Sequence, residues 1–290
     1  MRLARSREGI GNRITTGWVV TYALMILLVA FTSLPLVYLL VSAFKPLDEL
    51  VLYPPRFFVR RPTVEGFLDL FTALDSQEIP FTRYLFNSLF TTSANVLLIV
   101  LISTMGAYGL DKIKLPGGRA LFRIVILGLM FSPPAAQIPI YMAINSLGIL
   151  DTYWALIIPK LATPMFFFLL KQFMSQVPLE MVESARMDGA GEFGVYRRIV
   201  LPMIKPAIAT VVVFAFIDNW NDAGPSTIYI TRQAMRTLPF ALGTIFSGGV
   251  IARLAAQNAA ALLTILPTIL LYLVMQSKVI RTMAYSGLKG

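Results

Sequence analysis

The 290-residue chain contains no cysteine and no histidine. Disulfide frameworks, thiol nucleophiles, Cys/His zinc sites and histidine acid–base chemistry are therefore excluded together. Charge is scarce as well. Only 14% of residues are charged against 57% hydrophobic, and a mean hydropathy of +0.71 is far above that of a soluble domain this long, which places the chain in a bilayer. The phosphate-cradling pattern G-x-x-x-x-G-K-[ST] does not occur, nor does a single Gly-Lys dipeptide. The formal charge of +10 comes without a basic nucleic-acid module, so no nucleic-acid partner is expected and the charge is read as loop bias in a membrane protein.

A spanning helix needs roughly 20 mostly apolar residues. Six stretches qualify, at about 18–44, 84–110, 121–145, 153–175, 203–221 and 258–281. The expected fold is thus an all-α integral membrane protein with six transmembrane helices. The first stretch follows four arginines but is too long for a signal-peptide core and lacks a clear cleavage site, so it reads as a retained helix. Lysine and arginine number sixteen on the side of the termini and eight on the other. The positive-inside rule then puts both termini in the cytoplasm, in a prokaryotic cell membrane. Residues 1–83 form a first helix with its external loop, and residues 84–290 a core of five helices.

Polar groups at membrane depth must pair or face water. Asn87, Asn95, Gln137, Asn145, Asn219 and Asn221 are accordingly candidates for a translocation path, with hydrogen bonding between helices as the alternative for each, and Trp220 is a further candidate, able to stack on the ring of a solute, with anchoring at the membrane interface as its alternative. Lys160, alone among apolar neighbours, needs a carboxylate, a carbonyl or an aqueous cavity, or else snorkels outward. Asp218 and Asp222 lie one helical turn apart at the outer end of the fifth span, where they suit an external gate or a docking contact.

Residues 178–206 are too polar for lipid and too patterned for a linker. Met181, Val182, Ala185 and Leu179 gather on one side of a short helix, Glu180, Glu183 and Ser184 on the other. Asp188-Gly189 supplies a break because glycine tolerates left-handed backbone angles. Phe193, Tyr196 and Val200 continue the apolar spacing, and Pro202 restarts the chain as the fifth span. The run Glu183, Ser184, Ala185, Asp188, Gly189, Ala190, then Ile199, Leu201, Pro202, closely resembles the cytoplasmic EAA loop of ABC importer permeases, with Ser184 the departure in the opening triplet. Phe44-Lys45-Pro46, Asn87-Ser88, Trp220-Asn221-Asp222, Thr237-Leu238-Pro239 and the C-terminal Gly287-Leu288-Lys289-Gly290 extend the resemblance to the shorter permease of the maltose-type carbohydrate importers. The Ala223-Gly224-Pro225-Ser226 that follows Asp222 departs from that branch.

The resemblance implies a permease that is not itself an enzyme and binds no metal or cofactor of its own. ATP and magnesium would be used by two ATP-binding-cassette subunits gripping the 183–202 loop, with the tail at Lys289 and Gly290 reaching toward them. A second homologous permease, an external solute-binding protein, a small-molecule sugar and membrane lipid complete the implied partners. The same machine for a polyamine, ion or peptide remains open, since the loop reads the motor and not the cargo. An intramembrane enzyme using Asp218 and Asp222 is a further alternative. A proton-coupled carrier is disfavoured by the near absence of carboxylates within the spans.

Overall fold

The computed structural model describes residues 16–75, 79–131, 133–246 and 253–287, and among them there is no strand. Helix α1 (Thr16–Ser42) has 27 residues, about 40 Å at 1.5 Å per residue, enough to cross the apolar core of a membrane. Its side chains are apolar all round and almost all exposed, an arrangement whose solvent is lipid. A short α2 (Leu47–Leu50) and an irregular stretch lead to α3 (Glu65–Asp75). The long α4 (Phe81–Tyr108) continues as a π-helical turn over Gly109–Ile113.

The third and fourth expected spans are each two helices. The 121–145 stretch divides into α5 (Gly118–Leu129) and α6 (Pro133–Ser146), bent by 118°. Pro133 and Pro134 lie at the break, where missing amide donors and the clash with preceding residues disfavour a continuous helix. The 153–175 stretch divides into α7 (Tyr153–Leu161) and α8 (Pro164–Met174), bent by 44° at Pro164. Next come α9 (Leu179–Met187), then α10 (Glu192–Val195), a π-turn (Tyr196–Val200) and α11 (Leu201–Met203). A 77° bend separates these from α12 (Lys205–Asn221). The restart expected at Pro202 therefore falls three residues later, with Pro206 in the first turn, where a missing amide donor is tolerated. Helices α13 (Gly224–Tyr229), α14 (Leu238–Phe246) and α15 (Leu254–Gly287) complete the chain. By length and composition three helices cross a membrane alone, and up to six spans result if each bent pair counts as one.

Small residues draw the spans together. Ala207, Val211 and Ala215, each one turn apart on α12, are buried with Ile99 of α4 and Phe166 and Leu170 of α8, the close approach typical of helices packed in lipid. At the pole away from residues 179–203, α3 lies on α15 so tightly that a Cβ on Gly66 would sit 2.8 Å from the Ala255 carbonyl oxygen.

The turn between α6 and α7 is pinned to the segment after α13. Asp151 accepts the backbone N–H groups of Thr231 and Arg232 at 3.0 Å each and the Arg232 Nε at 2.8 Å. Led by the Arg232 backbone donor, these bonds hold the Asp151 carboxyl down at about 2. Its folded value being depressed, the clamp is complete above the ordinary carboxylate range and is lost as pH falls through about 2. Limited proteolysis at residues 229–236 between pH 4 and pH 2 is expected to accelerate in the parent chain. Asp151→Asn should be cleaved rapidly already at neutral pH and show a flat profile.

Candidate functional site

Helix α9 is a short lever built on one buried ridge. Val182 and Ala185 pack against Met174, Val177, Val195, Tyr196 and Val200, while Glu180, Glu183 and Ser184 are exposed. Met181, expected on the apolar face, is 47% exposed. At about 100° per residue it lies on the edge of a stripe centred between Val182 and Ala185. Phe193, expected with Tyr196 and Val200, is likewise 67% exposed. With Met187 these residues add apolar surface to an otherwise polar lever.

The elbow closes as a Schellman motif. The Ala190 N–H donates to the Ala185 carbonyl, the Gly189 N–H to that of Arg186, each at 3.0 Å, and Gly189 has φ +82°. Beyond its own neighbours in the chain, no atom of the described residues lies within 4 Å of where a Gly189 Cβ would be. Glu183, Ser184, Asp188 and Gly189 are all exposed, Ala190 is partly so, and Ile199 and Leu201 are half-buried at the root of the lever, with Pro202 exposed beside them.

Four residues that sequence reasoning passed over fix this lever to the spans. Arg186 donates to both carboxylate oxygens of Glu192, Nε at 2.8 Å and Nη2 at 3.1 Å, and the Tyr108 hydroxyl donates to Glu192 at 2.6 Å. The Arg186 guanidinium, then the Tyr108 hydroxyl, hold the Glu192 carboxyl below its ordinary range. Arg186 also reaches the Lys112 carbonyl, and the buried Lys112 ammonium donates to the Val177 carbonyl at 2.7 Å. Tyr196 hydrogen-bonds Thr104 of α4 through its hydroxyl at 2.7 Å. The lever is therefore tied to the adjoining ends of α4 and α8. The opposite charges of Arg186 and Glu192, six residues apart on either side of the Gly189 elbow, were the available signal.

The candidates for the path separate into two groups. Asn87 is fully buried, donates to the Ala234 and Arg236 carbonyls at 3.0 and 2.8 Å and accepts from Tyr153. Beside it the Ser88 hydroxyl accepts the Leu238 N–H at 2.7 Å, so the Asn87-Ser88 and Thr237-Leu238-Pro239 pairs staple the loop before α14 onto α4. Asn95, also buried, donates to Asn219 at 2.9 Å and to the Leu156 carbonyl. Trp220 is 1% exposed, stacked on Phe216, with its indole N–H on the Thr264 carbonyl at 2.9 Å. It is a packing residue in this chain and presents no face for a sugar to stack on.

The second group is exposed. Asn145 and Gln137 of α6 and Asn221 of α12 are open, and Gln137 lines a cavity of about 210 Å³ together with Lys160, Asp222, Pro225 and Tyr229. Lys160 finds its partners here: its ammonium lies 2.6 Å from Asp222 and 3.2 Å from Asp218. The single ammonium between the two carboxylates offsets one of their two negative charges. Among the described residues no group of three or more carboxylates is placed to hold a metal ion. Lys289 and Gly290 lie outside the described residues.

The family described as "Binding-protein-dependent transport system inner membrane component" matches residues 112–279, a segment that contains the lever, α12 and the cavity. The chain is 30% identical over 213 residues, 73% of its length and 72% of the relative's, to the polygalacturonan/rhamnogalacturonan transport system permease protein YtcP of Bacillus subtilis (strain 168). It is 29% identical over 258 residues, 88% of its length and 90% of the relative's, to the arabinooligosaccharides transport system permease protein AraQ of the same organism. Its fold superposes with a TM-score of 0.74 at 19% identity, over 89% of this chain and 95% of the other, on a chain in the crystal structure of a bacterial ABC transporter involved in the import of the acidic polysaccharide alginate.

Proposed function

The chain belongs to the family of binding-protein-dependent transport system inner membrane components, and from that premise we propose that it is the transmembrane permease subunit of an ABC importer for a sugar or oligosaccharide, moved by ATPases on separate chains. The observation that carries the reading is the exposed glycine elbow, stapled to the spans behind it and open in front. The relatives' named cargoes, polygalacturonan/rhamnogalacturonan and arabinooligosaccharides, support a carbohydrate.

In this reading two ATP-binding-cassette subunits, using ATP and magnesium, seat the lever through Glu183, Ser184, Asp188 and Gly189, with the termini on that cytoplasmic side and Lys289 and Gly290 close to the motor. The Arg186–Glu192–Tyr108 network carries displacement into α4, the Lys112–Val177 bond carries it into α8, and the bend before α12 turns it along that span. At the far end of α12, Asp218 and Asp222 are tied to Lys160 of α7, so rotation of either helix alters the polar wall that holds Gln137. A rigid lever working on packed helices is a sufficient device for alternating access. Asn145 and Asn221 extend that wall, while a second permease forms its other half and an external binding protein delivers the solute.

The test is affinity purification of the tagged chain from its native membranes in mild detergent, followed by mass spectrometry. Co-purification of an ATPase and a second permease in stoichiometric amounts supports the reading, and a chain that comes down alone overturns it. Binding of radiolabelled saccharides to the cognate external protein decides the cargo. A protein there that takes only a polyamine, an ion or a peptide would replace the sugar and leave the machine in place.

A further inference from the structure

The irregular stretch after α2 is held in one shape by two buried ions and turned back along the end of α1. Glu49 is 4% exposed and accepts the backbone N–H groups of Arg60 and Arg61 at 3.0 Å each. Those bonds, the Arg60 one foremost, hold its carboxyl below the ordinary range and keep it charged. Lys45 is 2% exposed, donates to the Arg56 carbonyl and lies 4.8 Å from the centre of the Tyr38 ring. The Thr63 N–H closes the base of the loop on the Phe44 carbonyl at 2.9 Å.

The position of this loop follows from one contact. The Phe57 ring packs on Tyr38 with centroids 5.6 Å apart. Tyr38 lies four residues before the last residue of α1, Ser42, about 6 Å back along the helix. The loop thus descends beside a span whose own surface at that level, Leu36, Val37 and Leu40, is exposed and apolar. On its outer side it carries Tyr53, 93% exposed, and Phe58, 70% exposed. Arg56, between them in the chain, and Arg60, two residues beyond Phe58, are exposed, and neither guanidinium has a carboxylate partner among the described residues, whereas the neighbouring Arg61 is paired with Asp48. Aromatic rings alternating with unpaired cations at the end of a span are the chemistry of the boundary between headgroups and acyl chains.

We propose that residues 51–60 form a membrane anchor at the pole opposite the lever, in which Tyr53 and Phe58 enter the headgroup boundary and Arg56 and Arg60 engage lipid phosphates. The loop is continuous with the lipid face of α1, and its free charges are complementary to phosphate. Its internal ions spare it the cost of folding on the membrane, since the shape exists before lipid is met. The inference rests on the chain being embedded through α1 and is independent of the motor and the cargo.

The absence of cysteine makes the test direct. Tyr53→Cys and Phe58→Cys, both at exposed positions, are labelled with an environment-sensitive fluorophore in the complete complex, the parent complex providing the background. The labelled complexes go into nanodiscs of phosphatidylcholine and phosphatidylglycerol, with and without brominated acyl chains. Blue-shifted emission that brominated lipid quenches at both positions is the expected result. Emission quenched by aqueous iodide and indifferent to bromine places the loop in water and overturns the proposal, and emission indifferent to both quenchers places it under a protein partner and overturns it equally. Arg56→Gln with Arg60→Gln should weaken the bromine quenching and abolish its dependence on phosphatidylglycerol. Quenching unchanged in that variant would overturn the role assigned to the arginines.

Discussion

Gly189→Trp is expected to abolish ATP-driven uptake and to strip the ATPase from the purified complex, while the chain still reaches the membrane folded. Two separate effects converge at this position. The backbone at φ +82° is one that an L-residue adopts at a cost of about 1–2 kcal/mol, which weakens the elbow without unfolding helices held by far larger contacts elsewhere. The second effect is steric and external. Beyond its chain neighbours, nothing among the described residues lies within 4 Å of a Cβ at Gly189, so the indole is not resisted by them and occupies the space in which a docked surface would have to sit. Loss of a central contact of this kind costs roughly 3 kcal/mol or more, a fall in docking affinity of at least about 100-fold. Gly189→Ala separates the two effects, because alanine carries the backbone strain of an L-residue without the bulk of an indole. It should retain the ATPase with several-fold weaker binding, whereas an elbow governed by backbone strain alone would lose the ATPase as fully in Gly189→Ala as in Gly189→Trp. Uptake at the parent rate in Gly189→Trp would remove the lever from the mechanism.

That residue, and the lever around it, were legible in the sequence because their determinants are local. Val182 and Ala185 declare a buried ridge by spacing, and Asp188-Gly189 declares a stop by backbone preference, so neither depends on distant residues. Met181 and Phe193 were misassigned for the converse reason: their exposure depends on where the ridge meets α8 and α10, which spacing alone does not reveal. Hydropathy marked the apolar stretches 121–145 and 153–175 but not the breaks within them, since an apolar window does not register a change of axis. Pro133-Pro134 and Pro164 carried that information unread. The same limit applies to the polar residues at depth. Hydropathy gives the level of Asn87 and Trp220 in the bilayer and says nothing of which way they face. Asn87 turns inward to carbonyls near residue 235 and Trp220 to the Thr264 carbonyl of α15. For Lys160 the sequence leaves a carboxylate, a carbonyl, an aqueous cavity or snorkelling open; the structure supplies carboxylates, one of which, Asp218, is 58 residues away along the chain. Charge balance could have named them: Lys160 is the only cation between Arg123 and Lys171, and no cation lies between Lys205 and Arg232 to serve the acids at the outer end of α12.

Removing that cation is expected to do more damage than removing it together with its closer carboxylate. Lys160→Met deletes an ammonium whose side chain is only 20% exposed and leaves Asp218 and Asp222, with side chains 51% and 34% exposed, facing each other uncompensated. Breaking a buried pair from one side costs about 3–5 kcal/mol, and the partial exposure of both acids brings the expectation here down to about 1–3 kcal/mol. Lys160→Met combined with Asp222→Asn removes the closer carboxylate together with its partner, so the double variant should melt above the single one, a coupling of opposite sign to simple additivity. Thermal unfolding of the purified complex in detergent reads the first effect and solute uptake in proteoliposomes the second. The two readouts answer different questions, because Lys160 joins α7 to α12 and also borders the cavity that holds Gln137. If the double variant regains stability and uptake together, the ions serve to hold the two helices. If it regains stability while uptake stays low, the charges themselves belong to the wall along which the solute passes. A double variant less stable than Lys160→Met would mean that the carboxylates are satisfied without the lysine, and the ion triad would lose its place in the account.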